Sequence, residues 1–360
     1  MLNSDRQMKA PGIRDSFEER EASFLSPHGC LSSRVRRRAY AEPESPICTA
    51  FQRDRDRIVF SNAFRRLNHK TQVFLSPLGD QYRTRLTHTL EVAQIARTIA
   101  RAMRLNEDLA EAVALGHDLG HTPFGHSGES ILQEICPLGF SHYEQSLRVV
   151  EKLENNGRGL NLTLEVRDGI LKHSKGYGNI IHDDPAEMAI TLEGQIVRVA
   201  DIMAYLNHDL DDAIRSKVIT RSQVPESCTR ILGGNHSERA STMIQDFIGS
   251  STCGEKVVPR IGDRIFAAMT ELREFLYEKV YRSPQVHNEF VKARRILSEL
   301  YEFFLNHPDE LQKEMSKMEM GACTEAEEGL HRVVSDFIAS ITDEYAMHLY
   351  ARLFFPSPYV

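Results

Sequence analysis

Three histidines, an aspartate and a glutamate fall within thirteen residues of this chain: His117-Asp118-Leu119-Gly120-His121-Thr122-Pro123-Phe124-Gly125-His126-Ser127-Gly128-Glu129. Farther off in sequence, His88 and Asp201 each stand in a row of apolar residues. Two neutral imidazoles and two carboxylates, from His88, His117, Asp118 and Asp201, would cancel the charge of one divalent cation. They would also leave coordination positions open for water and substrate. Glycine and proline interrupt the dense segment, so a helix should end there in a tight loop. His126 and Glu129 are three apart. On a helix starting at Ser127 the carboxylate can hold the imidazole, raise its pKa and keep it protonated. A general acid to a leaving oxygen needs that form. Each residue alone has a structural reading: a hydrogen-bonded core histidine, a salt-bridged aspartate, a solvated histidine-rich loop. The joint pattern is what points to a metal.

Three helices are required to bring these groups together. His88, Val92, Ile95, Ala96, Ile99 and Met103 share one face at helical spacing. Asn106 is an N-cap for the second helix, whose row Leu109, Val113, Gly116, His117 ends in a histidine with Asp118 beside it. The third is predicted to open at Asp184-Pro185, a cap followed by proline at the first helical position. Its face runs Ile190, Gly194, Val197, Asp201, Tyr205, Asp209. Burying Asp201 there without a cationic partner is costly.

Helical stretches are predicted near 50–68, 84–104, 106–118, 127–135, 141–155, 163–172, 185–217, 237–248, 260–281, 285–306, 308–318 and 324–350, with loops at 155–161, 174–184 and 249–257. Residues 1–46 are rich in Ser, Pro, Gly and charge and read as an irregular arm carrying the basic run Arg34–Arg38. Residues 47–360 read as one large all-α domain, a helical bundle of non-coiled-coil type. Its motif-bearing core spans 65–215 and a helical C-terminal part follows at 216–360.

Composition narrows the function. The 360 residues suffice for a sizeable core, and 41% hydrophobic with 26% charged residues is ordinary for a globular chain. A net charge of -7 gives no global reason to bind nucleic acid, so an anionic substrate must meet a local basic cluster or a metal. Cys30, Cys48, Cys136, Cys228, Cys253 and Cys323 are scattered without CxxC and read as thiols in a reducing compartment. No apolar run approaches the ~20 residues of a membrane span, and Met1–Arg20 is polar rather than a signal peptide. These features read as a cytoplasmic protein with no membrane partner.

The words around the ionisable residues are more specific than the residues themselves. FRRLNHKTQVF in the 60s and 70s, RLTHTLEVAQIAR at 85–97, GHDLGHTPFGHSGE at 116–129, FSHYEQSLR at 140–148 and RVADIMAYLNHDLDDA at 198–213 resemble bacterial deoxyguanosinetriphosphate triphosphohydrolase-like proteins of the HD-domain superfamily. The likeness runs from roughly Tyr40 to Leu210 and is general in the last third.

The resemblance implies an HD-domain helical fold and hydrolysis of a dNTP at the α-phosphorus, giving deoxynucleoside and inorganic triphosphate. It implies His88, His117, Asp118 and Asp201 as metal ligands, with Mg or Mn first and Fe, Co, Ni or Zn as alternatives, and a further Mg on the nucleotide phosphates. His126 and Glu129 match the catalytic pair, and His142 lies near the phosphates. His121 and Arg85 match phosphate contacts, Gln72 and Asp209 the readers of the sugar 3′-hydroxyl, and Tyr205 the ribose pocket. Val73 and Tyr277 are candidate walls against a 2′-hydroxyl. Family members form homo-oligomers with dNTP activators at subunit interfaces, a role open to Arg53, Arg55, Arg57, Arg65 and Arg66. Arg34–Arg38 is thin support for nucleic acid. The competing readings are another HD phosphohydrolase, acting on a nucleoside monophosphate, cyclic nucleotide or alarmone, and a non-catalytic dNTP sensor.

Overall fold

The computed structural model describes residues 12–35, 37–72, 83–174, 180–181, 184–253, 257–318, 320 and 329–356. Arg36, Val73, Cys323 and the start of the stretch expected at 324–350 lie outside them. The described residues form helices and loops, with one two-residue antiparallel ribbon pairing Thr252–Cys253 with Val257–Val258. None of these helices is long and apolar enough to cross a membrane.

The three expected helices are present. The His88 helix, Arg85–Ala102, starts where the Thr84 hydroxyl accepts from Thr87 N and buries His88, Val92, Ile95, Ala96 and Ile99 on one face. The His117 helix, Glu107–Gly116, is capped by Asn106, which accepts from Leu109 N at 3.2 Å. The Asp201 helix is Leu192–Arg215, shorter at its start than expected. Asp184 caps a turn instead, accepting from Ala186 N at 2.9 Å, and Asp168 takes Ile190 N at 2.7 Å. Those bonds hold the segment off the helix until Thr191 caps Gly194 N.

Other boundaries shift for the same reason, a side-chain oxygen that takes a backbone N–H. Ser61 accepts from Phe64 N and splits the stretch expected at 50–68 into Ala50–Phe60 and Asn62–Arg66. Thr342 accepts from Tyr345 N and separates Leu330–Ser340 from Asp343–Phe354 within the stretch expected to run through 350. The arm expected to be irregular to about residue 46 contains the helix Ile13–Phe24 and a single turn at Ser32–Arg34. That helix buries no residue, so it left no apolar period to read. Arg14 ion pairs with Glu18 and Glu44 support it, and Glu21 accepts from Ser32 N and Oγ.

Two apolar cores divide the described chain. The larger gathers Phe51, Ile58, Val92, Ile99, Leu109, Val113, Val197, Met203 and Leu272 around the three helices above. The smaller joins Ile131, Leu132 and Phe140 to Leu297, Phe304, Phe337, Ile338 and Leu349 of the C-terminal helices. The His126 helix, Gly125–Ile135, therefore belongs to the second core at its far end and to the His117–Glu129 loop at its start. Burying Ile131 and Leu132 fully is worth roughly 1.5–3 kcal/mol each.

Polar ties cross the seam. Asp343 accepts from Phe124 N at 2.9 Å and Thr71 N at 3.0 Å. Asp336 accepts from Arg148 Nη2 at 2.6 Å and Gln145 Nε2 at 2.9 Å. The buried Lys70 amine donates to His121 O and to Ala339 O. Burial pushes that amine down to about 7, and its neutral form has the two N–H groups that two carbonyls need.

Candidate metal centre and acid wall

The His88 helix, the end of the His117 helix and the Asp201 helix meet at one point. His88 Nε2 lies 3.2 Å from Asp201 Oδ1 and 3.7 Å from Asp118 Oδ2. His117 Nε2 lies 3.5 Å from Asp118 Oδ1 and 4.0 Å from Asp201 Oδ1. The four side chains assigned to a metal are therefore brought together, and ligand atoms of His88, His117 and Asp118 all lie within 4.8 Å of one another.

Hydrogen bonding fits this donor set to a cation. His117 Nδ1 faces Ala114 O at 2.6 Å, and a carbonyl only accepts, so Nδ1 carries the proton. In the neutral imidazole Nε2 is then a bare lone pair, fully buried, without a hydrogen-bond partner, facing two carboxylates. Lone pair against anions is repulsive unless a positive charge stands between them. Burial would raise both carboxyls. His117, Arg85, His121 and His88 hold Asp118 well below the ordinary carboxylate range, and His88 and His117 do the same for Asp201. Both are anionic at neutral pH.

The loop that follows builds a second wall. Glycine is required where it turns: at Gly125, with φ +60°, a Cβ would sit 2.6 Å from Gln72 O, and at Gly120 one would sit 2.2 Å from Ser146 N. The helix carrying His126 starts at Gly125, two residues before the expected Ser127. The expected pair His126–Glu129 is one side of a three-residue group. Glu129 Oε2 is 3.3 Å from His126 Nδ1, while Glu129 Oε1 is 2.7 Å from His142 Nδ1 and accepts from His142 N at 2.8 Å. His126 is 63% exposed and His142 is buried. Burial would lower His142, but Glu129 overrides it and raises the imidazole above its ordinary value. Burial raises Glu129, and His142 and His126 bring it well below the carboxylate range. The imidazole that Glu129 raises is thus His142.

The remaining expected residues distribute around these two walls. His121 stacks on His142 with centroids 4.4 Å apart, its Nε2 3.8 Å from Asp118 Oδ1, and burial and Arg85 drive its pKa far down. Arg85, expected on a phosphate, is fully buried and bonds Asp118 Oδ2 at 2.6 Å. Gln72 is buried with Oε1 lacking a partner, as a hydroxyl-reading amide would be. Tyr205 is half-buried one turn beyond Asp201. Asp209 is buried and accepts from the Tyr281 hydroxyl, while Tyr277, the expected wall residue, is 41% exposed. Arg53, Arg55 and Arg57 are engaged with Glu42, Asp56, Asp108 and Glu111, and Arg38 with Asp54.

Two buried histidines had no role in the sequence reading. His173 presents Nε2 to His142 Nε2 at 3.1 Å, its ring 4.9 Å from that of His117, and burial beside His117 and His142 pushes it down to about 3. His208 sits behind His88. Both were within reach of the periodicity argument. His173 follows Val166 and Ile170 by seven and three, and His208 follows Asp201 by seven.

Family profiles match two parts of the chain, an HD domain at residues 85–206 and a phosphohydrolase-associated domain at 260–352. A deoxyguanosinetriphosphate triphosphohydrolase-like protein of Desulfatibacillum aliphaticivorans is 60% identical over 351 residues, covering 97% of this chain and 99% of the relative. The chain belongs to the deoxyguanosinetriphosphate triphosphohydrolase-like family. Relatives of the same description from Caldanaerobacter subterraneus subsp. tengcongensis and Clostridium tetani are 51% and 41% identical, each over 96% of this chain and 97% of their own length. Likeness to this HD phosphohydrolase family extends through the last third, where motif reading found only general similarity. The associated domain takes in the C-terminal helices of the second core and also the helix around Leu272 of the first.

Proposed function

We propose that this chain hydrolyses deoxynucleoside triphosphates at the α-phosphorus, releasing deoxynucleoside and intact triphosphate. The observation that carries the reading is the bare His117 Nε2, buried against Asp118 and Asp201, with His88 completing a two-imidazole, two-carboxylate set. Those four residues would hold one divalent ion, Mg or Mn first. Such an ion, when bound, supplies Lewis-acid polarisation and an acidified water. The names that the relatives carry support a nucleoside triphosphate as substrate.

The chain's own residues divide the remaining work. Water oxygen bonds to the α-phosphorus as the bond to the 5′-oxygen breaks, and the electron pair leaves on that oxygen, which needs a proton. His126, exposed at the mouth of the wall, is placed to give it, with Glu129 orienting the ring. His142, favoured in its protonated form by Glu129, puts positive charge beside the polyphosphate path, and His121 and Arg85 line the same side. Gln72, with its unpaired carbonyl oxygen, and Tyr205 and Asp209, on the Asp201 helix, would receive the sugar. The partners are a dNTP substrate, a dNTP activator and further copies of the chain.

Incubation with each dNTP and NTP in the presence of Mg²⁺ or Mn²⁺, followed by chromatography, tests the proposal. Deoxynucleoside and triphosphate as first products support it. Initial dNDP or dNMP would assign the chain to a different phosphohydrolase reaction, and binding without any product would make it a sensor.

A further inference from the structure

His208 is fully buried, one position off the Asp201–Tyr205–Asp209 row, and touches the back of a metal ligand. Its Nε2 lies 2.8 Å from His88 Nδ1, with the rings edge to face at 82°. Its Nδ1 lies 2.7 Å from Asp209 Oδ1, off the line of a straight hydrogen bond. Asp209 Oδ2 in turn accepts from the Tyr281 hydroxyl.

We infer that His208 is a positioning residue of the metal centre: it holds His88 in the tautomer that can bind an ion, and couples that ligand to Asp209. This rests on the metal reading above. A neutral imidazole has one N–H to place. His88 Nε2 is the nitrogen that faces Asp201 and Asp118, so a cation there takes the Nε2 lone pair and leaves the proton on Nδ1. That proton meets His208 Nε2, which must be an acceptor. The proton of His208 is then on Nδ1, towards the Asp209 carboxylate. Each tautomer follows from the one before it, and the chain ends on a fixed anion. A donor in place of His208 Nε2 would oppose N–H to N–H and favour the His88 tautomer that cannot ligate. Partners of this kind orient a ligand and raise its basicity. Because Asp209 lies on the proposed sugar side, the same contact would link occupancy of the sugar pocket to the set of the metal ligand.

The test compares Mn²⁺ binding to the metal-free full-length chain, His208→Phe and His208→Gln. Phenylalanine keeps volume and removes the acceptor, whereas the glutamine carbonyl can still accept from His88 Nδ1. Expected is about 10–100-fold weaker Mn²⁺ binding for His208→Phe and recovery of most of it in His208→Gln. Equal loss in both variants would mean that only the packing of the ring matters, and wild-type affinity in a folded His208→Phe would also overturn the inference. Should that variant fail to fold, ring ¹⁵N shifts of the wild type with Zn²⁺ decide alone. They should show both His88 and His208 protonated on Nδ1, and a His88 protonated on Nε2 overturns the inference. A wild type that binds no Mn²⁺ or Zn²⁺ would bring down the metal reading itself and this inference with it.

Discussion

The metal centre and the acid wall lie against each other, yet they are held by different means. The centre is built into the larger core: His88 and Asp201 stand on helices of 18 and 24 residues and His117 follows the end of a third, each beside buried apolar residues such as Val92, Val113 and Val197. The wall hangs on a glycine-rich loop and on the first turn of a helix that packs into the smaller core. Long-range bonds from the C-terminal helices set that loop in place: Asp343 on Phe124 N, Ala339 O on Lys70, Asp336 on Arg148. The proposed ligands, fixed by local helix packing, would stay aimed when distant parts loosen. The proposed proton-transfer group, fixed across the seam, would not.

The comparison breaks most directly at Asp201. Asp201→Ala should remove the bound divalent ion and abolish turnover, read by metal analysis and product formation, because two imidazoles and one carboxylate remain around a buried lone pair. Next in size, His126→Ala should keep the ion and dNTP binding while slowing turnover by about 10²-fold or more. Glu129→Ala should fall in the same direction, and the double variant should be little worse than His126→Ala, since the two act as one unit. Single-turnover rates with melting temperatures on the same preparations check this, as a purely structural role would lower both together.

The smallest effect concerns pH. The folded state raises the His142 imidazole, so its contribution to stability is complete below about pH 6.5 and is lost as pH rises through the raised value. Glu129→Gln removes the cause. Its loss of thermal stability relative to wild type should therefore be greater at about pH 6 than at about pH 9, and ¹H–¹⁵N titration of His142 should show a lowered midpoint in the variant.

What the sequence made legible divides along the same line. The residues proposed as metal ligands could be picked out because an ionisable residue in an apolar helical row is a local signal, and His88 and Asp201 each sit in one. The same signal is present for His173 and His208, and they went unread because His173 lies outside the motif words and His208, though inside RVADIMAYLNHDLDDA, stands one position off the Asp201–Tyr205–Asp209 row. The start of the Asp201 helix was misplaced because Asp184-Pro185 carries the chemistry of a helix cap and serves a turn instead. The wall was only half legible: the spacing of His126 and Glu129 is local, but the closer His142–Glu129 bond spans thirteen positions. No periodicity announces Asp343, which holds Phe124 and Thr71 from the far end of the chain. The arm helix Ile13–Phe24 was illegible because it buries nothing.

One measurement tests the central claim, that the ion belongs to the larger core and the chemistry to the seam: Mn²⁺ titration of wild type, Asp201→Ala and Asp343→Ala, with turnover on the same samples. Asp343→Ala strips two backbone N–H groups and the Thr71 hydroxyl of their acceptor, a loss of about 3 kcal/mol. The account predicts one bound ion in wild type, none in Asp201→Ala, and one in Asp343→Ala with near wild-type affinity but depressed turnover. An ion retained in Asp201→Ala, or lost from Asp343→Ala in step with its turnover, would contradict it.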